Sequence, residues 1–288
     1  MVPADRAARS GGARAPQRPE RVSTPLDALD PVAVPDALRP VAERLFGDRL
    51  GLAERFAGLL AGAGVERGLI GPREVDRLWE RHIVNCALLL DAIPADARTL
   101  ADIGSGAGLP GLVVAIARPE LEVTLVETMQ RRCVWLEEAA AELGVDVEVV
   151  RARAEALHGE REFDVVTARA VAALDKLAGW TLPLVADGGS LVAMKGSSAA
   201  DEVAEAASTL RRLGGVDPRL STVGESEVEA PTTVVTVRKE GAGSPPGATA
   251  DGPRASRQGR GGRQSRTAQK DRTTQKDRTN QQGGARRG

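Results

Sequence analysis

From about residue 97 to residue 239, short β-branched apolar runs alternate with stretches whose apolar positions recur at helical spacing. Residues 99–103, 123–126, 147–150, 163–167, 190–194, 221–223 and 234–237 read as seven strands, and 112–118, 130–143, 172–184 and 200–213 as helices between most of them. Buried strands separated by helices predict an α/β fold, a parallel sheet covered on both faces. No helix fits between the last two strands, so the last one is expected to run antiparallel. Upstream, residues 35–90 read as helices, with Phe46, Leu50, Phe56, Leu59 and Leu60 at apolar positions and a break at Gly71-Pro72. The last of them, 73–90, sets Val75, Leu78, Trp79, His82, Cys86 and Leu89 along one stripe, a face that must pack on something.

The two ends lack this pattern. Residues 1–33 are rich in Ala, Arg and Pro, and from Glu240 onward there is no Val, Ile, Leu, Met, Phe or Trp, too little apolar surface to offset the entropy of ordering. The chain is therefore expected to divide into a disordered segment 1–33, a helical extension 34–96, a Rossmann-like domain 97–239 and a disordered basic tail 240–288. The tail repeats Gln-Lys-Asp-Arg-Thr at 269–273 and 275–279, and its nine Arg and two Lys against four acids give a net +7. Since all 288 residues sum to −1, residues 1–239 carry −8. An acidic body with a basic arm suits nonspecific, salt-sensitive attraction to phosphate backbones, although compositional drift without a role explains the arm equally well. Neither a secretory signal nor a membrane-spanning stretch is evident, so a cytoplasmic protein is expected, with a monomer as the default. Two cysteines, Cys86 and Cys133, sit in helical apolar patterns, and with only two histidines no metal site is expected.

The chemistry begins at Ala101-Asp102-Ile103-Gly104-Ser105-Gly106-Ala107-Gly108-Leu109-Pro110-Gly111. An acid near the end of a strand precedes three alternating glycines, whose backbone can take positive φ, turn sharply and bring amides against a ligand. Pro110 is expected in the first turn of the following helix, where its missing N–H costs nothing. A dinucleotide loop would place its third glycine where Leu109 stands. Glu127 closes the second strand 21 residues after Gly106, and a carboxylate there can accept both hydroxyls of a ribose. That supports a nucleoside ligand without choosing between S-adenosylmethionine and NAD; a solvated strand-end acid is the plainer alternative.

The glycine loop resembles the first motif of class I S-adenosylmethionine-dependent methyltransferases. The pattern from about 35 to 239 is similar to the ribosomal small-subunit methyltransferase G, or GidB, family. The likeness is carried by Leu-Pro-Gly at 109–111, Arg81-His82-Ile83, Arg153-Ala154-Glu155, the run from Asp164 to Ala172 and Met194-Lys195-Gly196, in that family's order. It implies a Rossmann-like seven-stranded sheet with the last strand antiparallel behind a small helical extension. It also implies methyl transfer from S-adenosylmethionine to N7 of a guanine in a loop of 16S rRNA, free or in the small ribosomal subunit. By the same likeness Gly104 and Leu109 line the methionine end of the cofactor, with Gly106 and Gly108 completing the loop and Glu127 on the ribose. Ala154 and Glu155 contact the adenine side, and Arg169 reaches the site from the fourth strand. His82 and Lys195 face the substrate. The family usually follows Arg-His-Ile with an Asp-Ser or Asn-Ser pair; here Asn85-Cys86 stands there, without the hydroxyl.

Guanine N7 is a free lone pair, so no general base is expected, and His82, Arg169 and Lys195 are candidates for positioning the substrate. Arg169 and Lys195 carry donors suited to guanine O6 or phosphate. Arg131, Arg132 and Arg153 are candidate RNA-backbone contacts. With three Trp, three Phe and no Tyr, base stacking is scarce. The rival readings are a methyltransferase of the same fold acting on a small molecule or protein, an NAD(P)-dependent oxidoreductase, and a noncatalytic RNA-binding module.

Overall fold

The computed structural model describes residues 25–241; the expectations for 1–24 and for the basic tail from 242 onward lie outside the described residues. The chain opens with α1 (Arg39–Phe46) and α2 (Leu50–Leu59), continues through π-helical turns at Leu60–Gly64 and a 3-10 segment at Pro72–Arg77, and then through wider turns at Trp79–Val84 into the short α3 (Asn85–Ala87). Strands and helices then alternate: β1 (Thr99–Ile103), α4 (Gly111–Ala117), β2 (Glu122–Glu127), α5 (Gln130–Leu143), β3 (Glu148–Arg151), β4 (Phe163–Arg169), α6 (Leu174–Thr181), β5 (Val185–Lys195), α7 (Ala199–Arg212), β6 (Gly215–Val223) and β7 (Thr232–Lys239).

The sheet order is β3-β2-β1-β4-β5-β7-β6, with β7 antiparallel to both its neighbours and the other pairs parallel. This is the doubly wound α/β sheet, with its last strand antiparallel, that the alternation of elements predicts. Alternate residues of each strand serve opposite faces. Leu100, Val165, Val192 and Val234 join the helical extension, α4 and α5 in one core, while Ala101, Val166, Leu191 and Val235 join α6 and α7 in the other. The extension thus shares its core with one face of the sheet. Strand order reverses between β1 and β4, and in open α/β sheets such a switch point opens a crevice at the carboxyl ends of the strands. Among the described residues no helix is long and apolar enough to cross a membrane.

Several boundaries differ from the pattern's expectation: β5 begins at Val185 rather than 190, the expected helix 73–90 is broken into 3-10, wide and α-helical turns, and three further differences bear on packing. Residues 25–33, assigned by composition to an unfoldable N-terminus, pack on the extension: Val32 N–H donates to Glu54 O at 3.0 Å, and Trp79 Nε1 donates to Val32 O at 3.0 Å. Two glycines one turn apart, Gly58 and Gly62, clear the path, since a Cβ on Gly58 would strike Asp30 O and one on Gly62 would lie 2.6 Å from a Leu29 methyl. β6 begins at Gly215, well before residue 221, because as an edge strand exposed along most of its length it shows no apolar period and tolerates Pro218. Helix α4 begins at Gly111, with Pro110 as its cap, so the helix's first N–H is available.

That N–H is used. Gly111 N donates to Asp102 Oδ2 at 3.0 Å, tying the end of β1 to the start of α4, while Asp102 Oδ1 is buried without a hydrogen-bond partner. Burial pushes the Asp102 carboxyl up to about 7; nearby Glu127 adds to this, and the Gly111 N–H and Arg169 oppose it.

Two expected outcomes follow from this packing. Replacing a helical glycine by alanine gains up to about 1 kcal/mol, and Gly51→Ala, in the first turn of α2 with nothing within 4 Å of the new Cβ, is expected to raise the urea midpoint. Gly58→Ala is expected to lower it, because overpacking against Asp30 and Pro31 costs about 1–3 kcal/mol; equal shifts for the two variants would contradict the packing of residues 25–33. A carboxyl whose folded pKa is raised stabilises the fold below its unfolded value and loses that contribution as pH rises through the folded one. Asp102→Asn is therefore expected to gain stability relative to the native chain as pH rises from about 4 to 7, read by urea unfolding, and parallel pH curves would contradict the burial argument.

Candidate active site

The glycine loop is held open by its own backbone. Gly104, Gly106 and Gly108 have φ of 77°, 57° and 93°, the left-handed region where a side chain is costly. Gly104 N–H donates to Val126 O at 2.8 Å, Ser105 Oγ to Asp102 O at 2.8 Å, and Trp135 Nε1 reaches from α5 to Ala107 O at 3.1 Å. Beside the loop, at the carboxyl ends of β1, β2 and β4, lies a cleft of about 410 Å³. Gly104, Glu127, Ala154, Glu155 and Arg169 all line it, so five candidate cofactor residues converge on one space. Of the loop glycines only Gly104 is in the lining; Gly108 is packed against Leu112, and Leu109 is buried in the core.

Glu127 is 4% exposed. Its Oε1 accepts the Thr128 and Met129 N–H groups at 2.7 and 2.9 Å, and its Oε2 accepts Gly106 N–H at 3.1 Å with Arg132 at 3.5 Å. Burial alone would raise its pKa, but these amides and Arg132 outweigh it and hold the carboxyl below its ordinary range. Oε1 is fully engaged, so a hydroxyl pair from a ligand would compete at Oε2 with the longer Gly106 and Arg132 contacts.

A second, larger cleft of about 740 Å³ opens on the other side of Arg169, lined among others by Asn85, Ala172, Met194, Lys195 and Glu202. Arg169, Ala170 and Val171 line both clefts and form the wall between them. Ala170 has φ 54°, a strained value for a residue with a Cβ, of the kind that clusters at functional sites. Val171 leans over the glycine loop: a Cβ on Gly104 would lie 3.0 Å from its Cγ2.

The candidate substrate residues divide. Arg169 and His82 meet, with Arg169 Nη2 2.6 Å from His82 Nδ1 and Nη1 2.8 Å from Cys86 Sγ. Cys86 thus takes a guanidinium contact at the position where the expected hydroxyl is missing. Lys195, expected to face the substrate, lines the second cleft but is tied: Nζ donates to Ala172 O at 2.7 Å and pairs with Glu202 at 2.6 Å, its side chain only 6% exposed. Arg131 is exposed at the start of α5 and Arg153 at the cleft rim, whereas Arg132 is turned onto Glu127.

Three site residues carried no usable sequence signal. Trp180 lines the first cleft from the last turn of α6, and its helical position made it one more apolar residue. Glu202 accepts Leu174 N–H at 2.8 Å as well as Lys195, and Glu74 accepts from His82 Nε2 at 3.2 Å. Both looked like ordinary solvated acids, and nothing local in sequence pairs them with partners 7 or more residues away.

Residues 49–229 match the family described as GidB, rRNA small subunit methyltransferase G. A protein named ribosomal RNA small subunit methyltransferase G from a Nocardioides species is 59% identical over 207 residues, 71% of this chain and 81% of its own length. Namesakes from Pseudarthrobacter chlorophenolicus and from Salinispora arenicola are 55% and 52% identical, covering 68% and 82% of this chain and 91% and 99% of their own. With a matched family over most of the described residues and these identities along nearly whole relatives, the chain belongs to the rRNA small subunit methyltransferase G family.

Proposed function

We propose that this methyltransferase transfers the methyl group of S-adenosylmethionine to N7 of a guanine in 16S rRNA, working in the cytoplasm on the free RNA or the small subunit. The observation that carries the reading is the pair of clefts sharing one wall, Arg169 to Val171, at the switch point of the sheet. The first cleft suits the cofactor: its about 410 Å³ falls within the range of roughly 300–1,000 Å³ usual for small-molecule sites, and Glu127 offers a carboxylate for a ribose. Bound there, S-adenosylmethionine supplies an electrophilic sulfonium methyl.

The second cleft takes the base. N7 attacks with its own lone pair, so the protein has no proton to remove, and its task is alignment and tolerance of the charge that moves to the base. Arg169 supplies fixed donors at the shared wall, suited to guanine O6 beside N7. Lys195, tethered to Ala172 next to the wall and to Glu202, lines the second cleft as a cation. Arg131 and Arg153 meet phosphates at the rim, giving a local basic approach on an acidic body.

The test is transfer of labelled methyl from S-adenosylmethionine to 16S RNA or small subunits taken from cells lacking this gene. The expected product is 7-methylguanosine; label in no RNA, with cofactor still bound, would redirect the search to small molecules or proteins. Arg169→Ala is expected to lower kcat by about 10-fold or more, the scale of losing an aligned donor. Trp180 lines the first cleft, so the change of tryptophan fluorescence on cofactor binding is expected to shrink in Trp180→Phe, with Trp135, bonded to the glycine loop, reporting the remainder; an undiminished change would place the cofactor away from Trp180.

A further inference from the structure

Arg169 stands at the end of a directed chain of hydrogen bonds. A guanidinium has donors only, so His82 Nδ1, 2.6 Å from Arg169 Nη2, must offer its lone pair. The neutral ring then carries its proton on Nε2, which lies 3.2 Å from Glu74 Oε2 and donates to it. Guanidinium gives to imidazole and imidazole to carboxylate, and the reverse order is chemically closed. Resting on the assignment of Arg169 to the reacting centre, we propose that Glu74 is a positioning residue for methyl transfer, fixing the His82 ring so that it holds Arg169 in the wall between the two clefts.

The surroundings fit such a role. Glu74 lies in the 3-10 segment just after the Gly71-Pro72 break, its N–H donating to Gly71 O at 2.9 Å, so the backbone presents the carboxylate rigidly. Glu74, Arg81, His82, Asn85 and Arg169 line a small cleft of about 280 Å³ adjoining the wall. The charged groups facing His82 are Glu74 and Arg81 from its own stretch of chain and Arg169 from β4. Burial pushes the His82 pKa down, Arg169 and Arg81 push the same way, and Glu74 pulls it up without reversing the sign. The ring is therefore neutral at neutral pH. Protonation in acid would put an Nδ1–H against the guanidinium and eject Arg169 from its place.

Two substitutions separate positioning from mere support. Glu74→Gln keeps an acceptor for Nε2–H but removes the negative charge that favours the protonated ring. Its plateau kcat is expected to stay within about three-fold of native, while the acid limb of the kcat profile moves down by about half a pH unit or more. Glu74→Ala leaves Nε2–H without its acceptor, and plateau kcat is expected to fall by more than about three-fold, a threshold set below the roughly 10–100-fold that loss of a supporting partner costs a metal-bound histidine. Superimposed acid limbs for native and Glu74→Gln, or an alanine variant within about three-fold of native kcat, would overturn the role of Glu74. Nitrogen NMR of labelled histidine gives a readout independent of activity, since the chain has two histidines and His158→Gln assigns their signals. The native ring is expected as the Nε2–H tautomer with Nδ1 accepting; an Nδ1–H tautomer or a cation near neutral pH would overturn the directed chain. A native protein that methylates no RNA would instead overturn the assignment of Arg169, leaving the NMR result to decide the link from Glu74 to His82.

Discussion

A single buried carboxylate closes the distance between β1 and α4. Asp102 gives one oxygen to the first N–H of α4 and leaves the other with no partner, an arrangement that costs the fold and that an alanine or leucine would avoid. What it secures is the tightness of the strand–loop–helix junction: a Cβ on Gly111 would lie 2.9 Å from Asp102 Cβ and 2.7 Å from its Oδ2, so helix and strand approach as closely as backbones allow. The left-handed glycines between them follow from that closeness, as does the first cleft beside Gly104. The site is thus built on a local loss of stability, compensated by two cores that cover both faces of the sheet.

Much of this could be read from residue order, and the reason lies in burial. Strands β1, β2 and β4 are apolar because helices cover both faces, and α5 ends where expected because Gly144, at φ 61°, supplies the left-handed cap. The glycine loop and Glu127 were legible because backbone constraints leave few alternatives at those positions. Legibility stops where a residue's role depends on a distant partner. The acids at 74 and 202 have the composition of solvated surface, and only the fold brings them to His82 and Lys195. Residues 25–33 failed for a related reason, since the groove that receives them is made by absent side chains at Gly58 and Gly62, and absence leaves no apolar period to detect.

Arg169 shows how one residue can serve three elements. It sits at the end of β4, is held by two groups from the helical extension, and lines clefts on both sides of the wall. The helical extension is thus joined to the sheet by a common core and to the wall by His82 and Cys86. A guanidinium with two of its nitrogens already engaged has a narrow choice of orientations, so its remaining donors point in fixed directions.

The exposed outer strand has a consequence for the protein in concentrated solution. β6 ends the sheet at one side with Pro218, which has no N–H to offer, and its pairing shifts between Val216 and Arg219 around Asp217 at φ 51°. At the other side β3 is only four residues long. A sheet margin that is interrupted, twisted or short makes a poor template for strand addition by a second molecule. The irregularity that hid β6 from a periodic reading is thus the same irregularity that guards the molecule against edge-to-edge aggregation.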